Sequence, residues 1–265
     1  MKAIIRKGLF KLGLTRKVDT FIIGAQKAGT SSLHLALTSH PSIHGSSKPY
    51  NKELHYWNNR GLGPKNLYEY NSAFPFWLKK SDLQVDATPD YASTPGCIDR
   101  IYAYNPKAKF LFTLREPISR AYSAWKMFHY NHKPGYSWRG HQLHDPRSFD
   151  IAILEELKST DSIKMEYLSK GYYASQIQEL QSIIPPSQLK IIIVEEDLYP
   201  DPEKCLLEIQ RFLQVPQKNL SLPRVNTSPD MNLSTEIHET LSDHFRIHNE
   251  KLREILRRDI PTWRE

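Results

Sequence analysis

The sequence predicts an α/β chain in three layers, with a mostly parallel central sheet flanked by helices. Two observations predict it. Apolar, β-rich runs of five or six residues recur along the chain, and longer stretches with helical spacing of their apolar positions separate them. The runs are also apolar without strict alternation, the habit of strands buried on both faces and joined through crossover helices.

The runs are DTFIIG at 19–24, LQVDAT at 83–88, KFLFTL at 109–114 and KIIIV at 190–194. The first ends at Gly24, and the helical stretch 30–39 opens on Thr30, Ser31 and Ser32. The third delivers Arg115 at its carboxyl end, and Pro117 suits the first turn of the helical stretch 117–131. Further helical stretches cover 148–158, 172–184, 202–213 and 234–257. Sheets of this kind bind ligands beyond the carboxyl ends of their strands, so the residues after each run are where chemistry is sought. Residues 132–147, rich in Gly, Pro, His and aromatics, predict a long surface loop bordering a site. A second irregular stretch at 222–232 precedes the last helix.

A chain of 265 residues with no break in composition predicts one domain over 18–265, preceded by a basic segment at 1–17. Of 36 basic residues, six lie in that segment with no acid beside them, leaving 30 against 29 acidic residues in the remainder. A body so nearly neutral argues against a long nucleic-acid groove. The segment MKAIIRKGLFKLGLTRK reads in two ways: an edge-packed or loose terminus, or a basic amphipathic helix in weak peripheral contact with an anionic membrane. No window is apolar enough for a transmembrane segment, and no secretory signal pattern is present. With Cys97 and Cys205 as the only cysteines, a reducing, cytoplasmic setting is expected. The 11 histidines are scattered; His129 and His132 share spacing but lack further ligands, so no metal site is expected.

In GAQKAGTSS, at 24–32, Gly29 permits close backbone approach to a ligand, and Thr30, Ser31 and Ser32 place hydroxyls beside the unsatisfied N–H groups of a helix start. Read without Lys27, this is either a tight turn with its cap or an anion cradle. The lysine favours the cradle. The spacing is not that of a Walker loop, because Lys27 precedes Gly29 rather than following it. In FLFTLREPISRAYSAW, at 110–125, Arg115 and Ser123 can converge on one phosphate, whereas Arg120 reads as structural. In NKELHYW, at 51–57, Glu53 and His55 are candidates to take a proton, the alternative being Glu53 paired with Lys52 or Lys48 on a solvated loop.

Together these segments resemble the sulfotransferases that use 3′-phosphoadenosine 5′-phosphosulfate (PAPS). The pattern Lys-x-Gly-Thr-Ser/Thr resembles their 5′-phosphosulfate loop, and Arg-x-Pro-x-x-Arg-x-x-Ser resembles their 3′-phosphate site. The stretch around Glu53 resembles that of the heparan-sulfate type. The resemblance implies a P-loop-like sulfotransferase fold, with Lys27 near the bridging oxygen and Ala28, Gly29, Thr30, Ser31 and Ser32 around the 5′-phosphate. It further implies Arg115 and Ser123 at the 3′-phosphate, Glu53 as general base and His55 assisting. PAPS would be co-substrate and 3′-phosphoadenosine 5′-phosphate (PAP) the product, without a metal. The acceptor would offer a hydroxyl, with an amine as second choice, on a small natural product or oligosaccharide. Two departures touch the acceptor side: Ala87 stands where the glycan enzymes carry a lysine, and RVNTSP at 224–229 replaces their lysine-glycine cap. Specificity is expected in the loops 56–80, 132–147 and 222–232.

Overall fold

The computed structural model describes residues 2–47, 52–58, 63–76, 78–130, 144–159, 165–225 and 233–263. Its centre is a five-stranded sheet of β1 (Thr20–Gly24), β2 (Ile43–His44), β3 (Leu83–Ala87), β4 (Lys109–Leu114) and β5 (Leu189–Ile193). The order is β2-β3-β1-β4-β5, and every pairing is parallel. The four apolar runs become β1, β3, β4 and β5 to within a residue or so. The two-residue β2 is too short to leave a periodic signal.

Helices cover the sheet: α1 (Lys2–Lys11), α2 (Thr30–Thr38), α3 (Leu67–Ser72), α4 (Cys97–Tyr104), α5 (Pro117–Tyr130), α6 (Phe149–Lys158), α7 (Tyr173–Ile183), α8 (Pro202–Leu213) and α9 (Thr235–Leu256). Six of these answer to the helical stretches in the sequence. The helical stretches do not include the short α3 or α4, although Ile98, Ile101 and Tyr104 recur three apart and share the buried face of α4. Asn66 caps α3 by accepting from the Glu69 N–H, a local signal independent of apolar spacing.

Burial explains why the strands lack alternation. All five residues of β1 are buried, and Phe21, Ile22, Phe110 and Phe112 are fully enclosed. A second apolar cluster joins α5, α6 and α9 through Ile118, Trp125, Phe149, Ile153, Leu241 and Phe245. At the other end, α1 docks on α3 through Arg6, which donates to the carbonyls of Asn71 and Phe74, and through Phe10 against Tyr68 at 5.3 Å. The described part of the basic segment is thus edge-packed at α1, yet Ile4, Leu12 and Leu14 remain exposed. Among the described residues no helix is long and apolar enough to cross a membrane.

Strand order decides where a ligand can sit. From β1 the chain leaves toward β2 and β3, and from β4 toward β5, so β1 and β4 are neighbours whose connections part to opposite sides. This is the switch point at which parallel sheets open a crevice. The β1–β4 register slips between Ile22 and Gly24, an irregularity at the mouth of that crevice. Of the two loops expected beside it, residues 132–143 and 226–232 lie outside the described residues, as does His132.

Candidate active site

The turn after β1 is shaped by its backbone. Gly24 admits no side chain, because a Cβ there would lie 2.9 Å from the Pro89 carbonyl oxygen and 3.0 Å from Phe112 Cε2. Lys27 has φ 70° and Gly29 φ 76°, so two left-handed residues fold the chain into the start of α2. Such a conformation suits glycine and is uncommon for lysine. Gly29 occupies the cap position of α2, and no side chain accepts from the helix start. The first-turn N–H groups of Thr30, Ser31 and Ser32 therefore have no carbonyl four residues back and no capping oxygen. An anion would satisfy them. Thr30 and Ser32 are buried, and Ser32 Oγ accepts from the Val225 N–H at 3.4 Å, which brings the start of the late loop against this turn.

Arg115 follows β4 at the same end of the sheet. Its guanidinium donates from Nη1 to the Lys27 carbonyl at 3.2 Å. Beneath it, the fully buried Tyr173 donates its hydroxyl to the Arg115 carbonyl at 2.8 Å. Tyr173 is therefore a core support and not part of a pocket wall, while Tyr172 stacks on His248 at 4.1 Å. Ser123 is buried on α5 one turn before Lys126, and residues three apart share a helix face. Arg120 is wholly enclosed and donates to the Tyr167 carbonyl, in keeping with a structural role.

Charges converge on the turn. Burial pushes the Lys27 ammonium below its ordinary value; Arg115 pushes the same way, Glu53 opposes, and Lys52 and Lys126 add smaller pushes downward. Four cations thus gather around one strand-to-helix turn, a repulsive arrangement that an anion would relieve.

Glu53 and His55 stand on the far side of this cluster, both at positive φ, 59° and 52°. The Glu53 N–H donates to the Ala87 carbonyl at 3.0 Å, tying the segment to the end of β3. Lys52 Nζ lies 2.6 Å from Glu53 Oε1 and 3.5 Å from Thr30 Oγ1. His55 Nε2 lies 3.8 Å from Glu53 Oε2, and the Asn58 amide meets His55 Nδ1 at 3.0 Å. Burial raises the Glu53 carboxyl, but His55 and Lys52 outweigh it and hold it at about 2. The pairing of Glu53 with Lys52 is real, yet it spans toward α2 and is no solvated surface pair; Lys48 lies outside the described residues.

Below them Asp86 is sealed, accepting from Tyr70 and Tyr91 at 2.9 Å and from Thr88 at 3.0 Å. Burial raises its carboxyl above the usual range. His34 on α2 is buried and held at about 4, first by burial and then by Lys52, with Glu53 opposing.

The sequence motifs do not point to Lys52, Lys126 or His34 as site members. Projection of the helices would have found two of them, since His34 lies one turn after Thr30 and Lys126 one turn after Ser123. Among the described residues no three His, Cys, Asp or Glu side chains are grouped to hold a metal ion.

With this geometry in place, comparison with known proteins decides the family. A family model described as sulfotransferase domain matches residues 17–255. The chain belongs to the sulfotransferase domain family. Human bifunctional heparan sulfate N-deacetylase/N-sulfotransferase 3 is 26% identical over 284 residues, covering 91% of this chain and 30% of that protein. The mouse enzyme numbered 4 in the same series is 28% identical over 282 residues with the same coverage. This sulfotransferase-family chain thus spans less than a third of the length of these relatives. A sulfotransferase of known structure from Alicyclobacillus acidocaldarius superposes with a TM-score of 0.71 at 27% identity, covering 94% of this chain and all of the other. The three-layer fold, with its single parallel sheet, is that of a sulfotransferase.

Proposed function

We propose that this chain transfers a sulfuryl group from PAPS to a hydroxyl of a compact acceptor, a small natural product or an oligosaccharide. One observation carries the reading: the guanidinium of Arg115 rests on the carbonyl of Lys27. Two phosphate-seeking cations 88 residues apart in the chain line one crevice at the switch point, where one doubly phosphorylated nucleotide can span both. The uncapped start of α2 fits the 5′ end of such a donor, with Gly29, Thr30, Ser31 and Ser32 supplying N–H groups and hydroxyls, while the Ala28 N–H is taken by the Ala25 carbonyl at 3.1 Å and Ala28 shapes the turn. Arg115 and Ser123 select the 3′-phosphate.

PAPS, when bound, supplies an activated sulfuryl group. Lys27 then balances the charge that builds on the departing phosphate oxygen, a stabilisation aimed at the transition state. Glu53 receives the proton of the acceptor, and His55, oriented by Asn58, steadies the carboxylate. The residues present call for no metal in these roles.

A second reading concerns the acceptor. The relatives at 26% and 28% identity are named N-sulfotransferases, which favours an amine. Incubation with PAPS and matched amine and hydroxyl acceptors, followed by mass spectrometry for an added sulfate, separates the two. The donor is tested by thermal shift: PAP should stabilise the protein, whereas stabilisation by ATP with magnesium and not by PAP would make it a kinase or nucleoside-triphosphatase. Binding of PAP without any sulfated product would leave a nucleotide-binding protein.

For residues 1–17 we propose weak peripheral contact with an anionic bilayer. Exposed Ile4, Leu12 and Leu14 stand among the exposed Lys7 and Lys11 on and beside a helix already anchored from its other face.

A further inference from the structure

A general base works best when its affinity for protons is matched to the working pH, and a carboxylate held at about 2 is poorly matched to neutrality. Two neighbouring groups are responsible. Lys52 contacts Glu53 Oε1 at 2.6 Å, and His55 faces Oε2 at 3.8 Å. From other elements, Lys27 on the turn and His34 on α2 also lie within the field of this carboxylate.

The partners differ in what they can do next. Glu53 is pinned, with its N–H on the Ala87 carbonyl and its backbone in the left-handed region. His55 is buried and oriented by Asn58. Lys52 instead has a long flexible stem, and its ammonium already reaches Thr30 Oγ1 at 3.5 Å, at the helix start where the 5′ end of the donor would dock. A phosphosulfate arriving there carries more negative charge than one carboxylate and competes for the ammonium.

We infer that Lys52 is a shared positioning residue: it pairs with Glu53 in the resting enzyme and passes to the 5′-phosphosulfate end of the donor on binding, releasing the carboxylate to receive the acceptor proton. This rests on the PAPS reading above. In the transfer that follows, the acceptor oxygen bonds to sulfur as the bond from sulfur to the bridging oxygen breaks. That electron pair stays on the departing 5′-phosphate, Lys27 and Lys52 face the resulting charge, and the acceptor proton moves to Glu53. The arrangement makes basicity conditional on donor binding, so the enzyme reaches its reactive protonation behaviour only when the sulfuryl group is present.

The test uses the full chain with PAP as probe. By titration calorimetry, Lys52→Met should weaken PAP about tenfold, the loss of one charge-assisted contact, while Lys52→Arg keeps most of the affinity. In parallel, wild-type protein carrying ¹³C-labelled glutamate, with the Glu53 resonance assigned through Glu53→Gln, should show the Glu53 carboxyl titrating nearer its ordinary range once PAP is bound. This second measurement needs no Lys52 variant and stands even if Lys52→Met folds poorly. An unchanged Glu53 titration, or PAP affinity within twofold in a folded Lys52→Met whose Lys27→Ala counterpart binds weakly, reduces Lys52 to a static ion-pair partner and overturns the inference while the donor reading survives. Failure of the wild type to bind PAP overturns both.

Discussion

Arg115 Nη1 donates to the main-chain carbonyl of Lys27 across 3.2 Å, although 88 residues separate the two in the chain. They meet because β1 and β4 are parallel neighbours, so the residues leaving both strands emerge at one edge of the sheet. A contact of this kind fixes where the Arg115 guanidinium sits against the lysine turn before any ligand arrives, the preorganisation on which electrostatic recognition depends.

Replacing Arg115 by alanine removes a bidentate-capable group from the 3′-phosphate side. PAP affinity should fall about 10- to 100-fold, matching roughly 1.5–3 kcal/mol for charged hydrogen bonds, while adenosine 5′-phosphate should lose little. Calorimetric titration with the two nucleotides measures the difference. Equal losses for both would remove Arg115 from the 3′-phosphate.

Glu53→Gln should leave PAP binding intact or somewhat tighter, since Lys52 loses its competing partner. Turnover should drop by about 10² to 10⁴, the usual worth of a general base. Steady-state rates with saturating PAPS decide it, and a variant retaining most of its turnover would exclude Glu53 as the base.

The two glycines flanking the turn should respond differently to alanine. At Gly29 a Cβ would meet Leu198 Cδ2 and Tyr199 Oη at an ordinary 3.7 Å, so the cost is conformational, about 1–2 kcal/mol from φ 76°. At Gly24 the added atom meets a backbone oxygen at 2.9 Å and a ring carbon at 3.0 Å, and something must move. Thermal unfolding followed by circular dichroism should show Gly24→Ala as the more damaging change. The reverse order would contradict this packing.

His34 supplies a pH dependence of stability. Its imidazole is held at about 4 against an ordinary 6.5, so between these values the unfolded chain binds a proton that the folded chain refuses. Stability should therefore be fully present above about pH 6.5 and decline as pH falls toward about 4, by up to roughly 3 kcal/mol. Denaturant titrations at several pH values should show this slope in wild type and its loss in His34→Gln. Glu53 acts in a lower window: held at about 2, its contribution is present above its unfolded value of 4.5 and is lost as pH falls toward 2.

For α1, co-sedimentation with phosphatidylglycerol vesicles should fall when Leu12 and Leu14 are both changed to aspartate, and binding to neutral vesicles should be weak throughout. Unaltered sedimentation of the double variant would place any membrane contact elsewhere. Neither position is buried, so the fold should tolerate the change.

The strands and long helices were legible because their apolar spacing is a local property of the chain. Phe21 to Ile23 and Phe110 to Phe112 declare two-sided burial by composition alone. β2 was not legible: Ile43 and His44 form a strand only because β3 offers them an edge. Within the site, Lys27, Gly29, Thr30, Arg115 and Glu53 could be picked out by residue type and spacing. Lys52 could not be assigned a place, because a lysine beside a glutamate is common and its reach to Thr30 depends on how the segment is tied to Ala87.

Sequence alone determined which segments could be strands and helices, which turn could cradle an anion, and which family the motifs resemble, since each of these is written in neighbouring residues. Only the tertiary structure decided that Lys27 and Arg115 share one wall, that Lys52, Lys126 and His34 crowd the same turn, and that Glu53 is held ionised. Those outcomes depend on strand order and on burial, and neither distance through space nor the loss of solvent around a charge can be read along a chain.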